Sequence, residues 1–184
     1  MQAYQKQHFV DDYYHEDAIV MDNNSVDFAS RVRTINSNTV TLCEYLRNRS
    51  LSFAGPNSKK LNPEHERFVI KDVFFPKWVS RENYDHCRRK NAENNFGPLF
   101  SLTFVSKTAS HAFYDALKCA KGPSLGTNFT LACPYTILAH YNERPWAASY
   151  GVEEGIVRLS VGMEDPETLL GWIKYALEEA ERTR

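Results

Sequence analysis

Two stretches of this chain, LFSLTFV at 99–105 and IVRLSVG at 156–162, alternate apolar and polar residues and then run directly into helical patterns. In the first, Phe100, Leu102 and Phe104 share a face opposite Ser101 and Thr103; in the second, Val157, Leu159 and Val161 oppose Arg158 and Ser160. Such strands bury one face and leave the other polar, so helices are expected to cover a single side of the sheet. Both following helices carry start signals. Ser106 can cap the first, whose apolar stripe is Ala109, Ala112, Phe113, Ala116, Leu117 and Ala120. Asp165 caps the second, with Pro166 at the first helical position, Glu167 in the first turn, and Leu169, Leu170, Ile173 and Leu177 on its apolar face.

The remaining segments fit the same plan. A long amphipathic helix is predicted from an N-cap at Ser25, with Phe28, Val32, Ile35, Leu42 and Leu46 on one face. FVIKDVFFP at 68–76 reads as a strand stopped by Pro76, followed by a short polar helix over Arg81–Lys90. YTILAHY at 135–141 reads as another strand, which would place His140 in a core or interface. Stretches 50–66 and 91–97 carry loop residues. Residues 1–24, rich in tyrosine and acid, read as a partly helical arm that packs on something else. The expected fold is α+β, with about four mainly antiparallel strands and helices on one side.

Composition narrows the function classes. The 184 residues are 42% hydrophobic, enough for one domain with a real core. A formal net charge of −1 argues against a nucleic-acid footprint or an anionic membrane surface. The run Arg88-Arg89-Lys90 closes a predicted helix, where cations suit the helix dipole. No apolar leader and no run near the roughly 20 apolar residues of a membrane span are visible, so a cytoplasmic location is expected. The four cysteines form no C-x-x-C pair and read as reduced thiols. Glycosylation matches at Asn23, Asn48 and Asn128 read as chance.

Arg158 is the most informative residue. A guanidinium within an otherwise apolar strand needs a partner, and its planar fork suits a carboxylate or a phosphate. That partner is either a ligand or a structural acid such as Glu153 or Glu154. KGPSLGTNFTL at 121–131 offers backbone N–H groups and hydroxyls, and its glycines permit close approach to an anion. It is neither a Walker loop nor a dinucleotide fingerprint, and as a phosphate motif it is weaker than the plain turn that also explains it. No metal-ligand spacing and no G-x-S-x-G elbow occur.

KGPSLGTNFTLACPYTILAHY, YGVEEGIVRLSVGMED and YHEDAIVMDNNSVDFASRVRTIN together resemble the C-terminal part of fungal cystathionine γ-synthase-like enzymes. These belong to the pyridoxal-phosphate-dependent Cys/Met metabolism, or trans-sulfuration, family. The resemblance runs from about residue 12 to the end. It implies the small C-terminal domain of an aminotransferase-like, fold-type I enzyme at 25–184, with 1–24 an arm or a leftover of the large domain. The large cofactor-binding domain is absent from these residues. It further implies that Arg158 grips the substrate α-carboxylate and that Ser124 and Leu125 line the same pocket, with Ser124 near the Schiff-base lysine.

The expected cofactor is pyridoxal 5′-phosphate in the complete enzyme. Expected ligands are a homoserine ester, cysteine or cystathionine, and the expected assembly is a homo-oligomer. Where many relatives carry a glycine and a glutamate after the S-L-G, Thr127 and Phe129 stand here. The family's S-x-T-K segment has no match, so no catalytic residue is assigned. Lys118 and Lys121 are not substitutes. The reading is therefore the substrate-binding part of a γ-replacement enzyme; the alternative is a non-catalytic remnant or an anion-binding module.

Overall fold

A computed structural model describes residues 2–54, 67–88 and 95–184. In chain order these form α1 (Gln2–His8), α2 (His15–Ser25), α3 (Phe28–Asn48), α4 (Leu51–Ala54), β1 (Ile70–Phe74), α5 (Arg81–Cys87) and β2 (Leu99–Phe104). Then come α6 (Lys107–Ala116), β3 (Ala120–Lys121), β4 (Leu131–Pro134), α7 (Tyr135–Ala139), α8 (Arg144–Ser149), β5 (Val157–Ser160) and α9 (Pro166–Glu181).

The strands make one sheet in the order β1-β2-β5-β4-β3. Every pairing is antiparallel except that of the two-residue β3 with β4. The expected α+β class holds, with five strands rather than about four. Register sets the two faces. Phe100 pairs with Leu159 and Leu102 with Val157, all at most 2% exposed, and this face carries the core with α3, α6 and α9 packed around it. On the other face, Ser101, Arg158 and Cys133 form one cross-strand row, and Leu99, Ser160 and Leu131 the next.

Two of the three predicted caps are present. Ser106 accepts from the Ala109 N–H at 3.1 Å, and Asp165 from the Thr168 N–H at 2.9 Å. Helix α6 stops at Ala116, so Ala120 falls in β3, exposed. Ser25 does not cap α3. It ends α2, with its hydroxyl donating to the Asp22 carbonyl at 2.8 Å, and α3 begins after Asp27. Phe28 is 62% exposed, and burial on α3 starts only at Ile35. No residue of α1 or α2 is buried.

Periodicity does not show that α3 also buries polar residues. Asn38 Nδ2 donates to the carbonyls of Gly162 (3.1 Å) and Glu164 (3.0 Å), and the Asn36 side-chain Oδ1 accepts from the Gly97 N–H at 2.9 Å. A helix stapled this way fixes the exit of β5 and the entry of β2, as satisfied buried amides do.

The predicted strand at 135–141 is incorrect. β4 lies one step earlier, where Leu131, Ala132 and Cys133 are buried, and Pro134 turns the chain into α7. Pro134 has no N–H to continue a ladder. The Thr136 hydroxyl donates to the Glu153 carbonyl at 2.7 Å, tying α7 to the segment that enters β5. His140 therefore follows a helix, half-buried, with Nδ1 2.7 Å from a Glu143 carboxylate oxygen. Helix α5 ends at Cys87 and Arg88 pairs with Asp85 at 2.9 Å; Arg89 and Lys90 of the predicted basic run lie outside the described residues. So do 55–66 and 91–94, most of the two predicted loops. Among the described residues, no helix is long and apolar enough to cross a membrane, and no three metal-ligating side chains cluster.

Candidate substrate-binding site

Arg158 sits in the middle strand, β5, on the face away from the core. It is half-buried rather than enclosed, so the full cost of a desolvated charge does not apply. Its Nη2 donates to the Pro123 carbonyl at 2.7 Å, and its guanidinium carbon lies 4.9 Å from the centre of the Tyr135 ring. The acids that might have neutralised it are engaged elsewhere. Glu153 pairs with Lys71 at 2.6 Å; Glu154 pairs with Lys107 at 2.7 Å and Arg144 at 3.4 Å. Among the described residues, no carboxylate lies within ion-pairing distance of Arg158. A carbonyl and an aromatic face orient the charge without neutralising it, and a guanidinium has five N–H donors, of which one is used.

The segment from Gly122 to Thr130 folds back over this face and is held at several points. The Gly126 N–H donates to the buried Ser160 hydroxyl at 3.1 Å, two residues along β5 from Arg158. Gly126 has φ +72°, a left-handed conformation that glycine adopts without strain. Met163 N–H donates to the Asn128 carbonyl at 2.8 Å. The Thr130 N–H and hydroxyl donate to the two oxygens of the Glu164 carboxylate at 2.6 and 2.8 Å, and the Gly162 N–H donates to the Thr130 hydroxyl at 2.9 Å.

The closeness of 129–130 to Gly162 leaves no room for a side chain. A Cβ there would lie 2.4 Å from the Phe129 carbonyl carbon and 2.5 Å from its Cα. The loop is thus a fixed wall beside Arg158, with its tip free. Ser124 and Leu125 are exposed at that tip, and Leu125 is 51% exposed. Among the described residues, Ser124 has no hydrogen-bond partner. The loop meets Arg158 through the intervening Pro123 carbonyl.

Cys133 lies directly across from Arg158 in the β4–β5 register. Burial raises its thiol pKa and the guanidinium opposes that shift. Burial also pushes the Cys43 thiol well up and the Cys119 thiol up. All three side chains are buried and pack as small apolar groups.

The described lysines do not provide a cofactor site. Lys121 turns its ammonium onto the Tyr114 and Leu117 carbonyls at the end of α6, the latter at 3.0 Å, and burial lowers its pKa. Lys118 lies over the Tyr175 ring at 5.0 Å, while Lys71, Lys77 and Lys107 pair with glutamates. None stands at Arg158. Among the described residues, the unused donors of Arg158 can receive a carboxylate, and no lysine is placed beside it for covalent attachment of pyridoxal phosphate.

Sequence reasoning singled out Arg158, Ser124 and Leu125; the structure adds Pro123 and Tyr135 against Arg158 and Glu164 against the loop, which it did not single out. Tyr135 was hidden by the mistaken strand, and backbone carbonyls leave no trace in residue type. Glu164 did carry a signal, as the acid of the VRLSVG-M-E stretch.

A model of the Cys/Met metabolism PLP-dependent enzymes matches residues 28–178. A cystathionine gamma-synthase-like enzyme of Amanita muscaria is 47% identical over an alignment covering 100% of this chain and 30% of that protein. The cystathionine gamma-synthase of Neurospora crassa is 37% identical, over 98% of this chain and 26% of that protein. Cystathionine gamma synthase from Xanthomonas oryzae pv. oryzae, solved in complex with cystathionine, superposes with a TM-score of 0.66 at 23% identity. That alignment covers 86% of this chain and 36% of the other, and the likeness shows the fold. The chain spans 26% to 30% of the length of these two curated relatives.

Proposed function

Because the chain belongs to the Cys/Met metabolism PLP-dependent enzyme family, we propose that it is the C-terminal, substrate-binding part of a trans-sulfuration enzyme most like cystathionine γ-synthase. In this reading residues 25–184 are the small domain. The wholly exposed α1 and α2 are an arm, or a leftover of the large domain, that packs on the rest of the enzyme. That remainder supplies the lysine and the cofactor site. The reaction is γ-replacement on an activated homoserine by cysteine, in the cytoplasm, within a homo-oligomer.

The observation that carries the proposal is Arg158: oriented by the fold, half-open to solvent, and with no acid of its own among the described residues. The α-carboxylate of an amino-acid substrate meets the unused N–H donors of the fork. The wall from Gly122 to Gly126 limits where the rest of the substrate can lie. Ser124 at the loop tip faces substrate and lysine once the large domain closes over it. What these residues do chemically is hold and orient; they move no proton.

The test is Arg158→Ala in the complete enzyme. Truncating one partner of a charged, hydrogen-bonded pair costs about 2–5 kcal/mol. The KM for the homoserine ester should therefore rise by about thirty-fold or more, at 1.4 kcal/mol per tenfold. Arg158→Lys keeps the charge without the fork and should recover part of the loss. An unchanged KM in Arg158→Ala would remove the assignment.

A further inference from the structure

We infer that Tyr135 is a positioning residue for Arg158: its ring is the platform that fixes the plane of the guanidinium in which the substrate carboxylate is received. This rests on the carboxylate-binding reading of Arg158 above. A fork discriminates a carboxylate only if its plane is held, because two parallel N–H···O bonds form in one orientation. Arginine side chains carry several free torsions, and ordering them has an entropic cost. Among the described residues, Arg158 is steered at two points. The Pro123 carbonyl holds Nη2 at 2.7 Å, and the Tyr135 ring lies 4.9 Å from the guanidinium carbon. One hydrogen bond still leaves rotation about its own axis. The aromatic face removes that rotation and attracts the charge through its quadrupole.

The placement of Tyr135 is itself well determined. It is the first residue of α7, directly after Pro134, which pairs with Val157, the residue before Arg158. The Thr136 hydroxyl anchors the same turn to the Glu153 carbonyl at 2.7 Å. On the side of α7, the His140 ring packs against Tyr135 edge-on, with centroids 5.6 Å apart at 73°. His140 is in turn held by Glu143 at 2.7 Å. The Tyr135 hydroxyl has no hydrogen-bond partner among the described residues, so the ring and not the hydroxyl is the working part.

The experiment uses the complete enzyme and measures the dissociation constant for L-cystathionine together with KM and kcat. Tyr135→Phe keeps the face and should bind within about twofold of the wild type. Tyr135→Leu removes it and should weaken binding about fivefold, with kcat little changed. Replacing Tyr135 by pentafluorophenylalanine keeps shape and packing but inverts the quadrupole. It should weaken binding as Leu does, which a packing role would not produce, and it decides the matter even if the Leu variant fails to fold. If the pentafluorinated ring binds like Phe, or if Phe is as weak as Leu, the platform role is overturned. Arg158→Ala is measured in parallel. If it weakens binding while the Tyr135 variants do not, only the platform falls; if it has no effect, the carboxylate reading falls and the platform with it.

Discussion

Gly162 offers the sharpest test of how the Gly122–Thr130 wall is fixed. Its hypothetical Cβ would lie 2.4, 2.5 and 2.6 Å from the Phe129 carbonyl carbon, the Phe129 Cα and the Thr130 nitrogen. Relaxed carbon contacts sit at about 3.5–4.0 Å, so Gly162→Ala must drive two backbone segments apart by about 1 Å. Overpacking against side chains costs about 1–3 kcal/mol, and a backbone neighbour cannot rotate away, which puts this case at the upper end. Separation also strains the Gly162 N–H bond to the Thr130 hydroxyl (2.9 Å) and the Asn38 bond to the Gly162 carbonyl (3.1 Å). Each is worth about 1 kcal/mol.

The combined loss is about 3–5 kcal/mol, or about 6–20 °C in Tm at the 2–4 °C per kcal/mol typical of a chain this size. Thermal unfolding by circular dichroism reads it directly. Gly171→Ala, within α9 where a Cβ meets nothing within 4 Å, is the matched control. It should raise Tm slightly, since alanine is favoured over glycine inside a helix by about 0.5–1 kcal/mol. If Gly162→Ala melts within about 2 °C of the wild type, the contact between 129–130 and Gly162 is not the constraint described.

Other expectations concern the same elements. Ser160→Ala removes the acceptor of the Gly126 N–H and should lower stability by about 1 kcal/mol, seen as a 2–4 °C fall in Tm. Of the four cysteines only Cys87 is exposed, so a thiol reagent should label one site per native chain and all four after denaturation; rapid labelling of Cys133 in the native state would contradict its burial. The Glu154 carboxyl is held below its usual range by the hydrogen bond from Lys107 and by Arg144. A carboxyl with a depressed folded pKa stabilises above its unfolded value, about 4.3, and loses that contribution as pH falls through the folded one. Glu154→Gln should therefore melt below the wild type at neutral pH and converge with it in acid; a gap that persists in acid would show that the pairing is not the cause.

Sequence and tertiary structure contributed different things. The strands at 99–105 and 156–162 and the capped helices after them were legible because their determinants are local: a period of two, a serine or aspartate at the cap, a proline at the first turn. Arg158 was legible as well, because a charge in an alternating strand announces itself. Its partners were not. Whether it met Glu153, Glu154 or a ligand depended on where Lys71, Lys107 and Arg144 fell, and the two lysines are brought in from distant parts of the chain.

The strand misplaced at 135–141 shows the same limit. YTILAHY is apolar enough for a strand, but Pro134 ends the ladder and the Glu153 carbonyl captures Thr136, so the segment closes into a helix. That closure puts the Tyr135 ring on Arg158. Residue types and spacings determined the family's motifs, the core strands and the arginine. Tertiary structure alone decided what faces the arginine, because a backbone carbonyl, an aromatic face and a glycine with no room for a Cβ act through position rather than through composition.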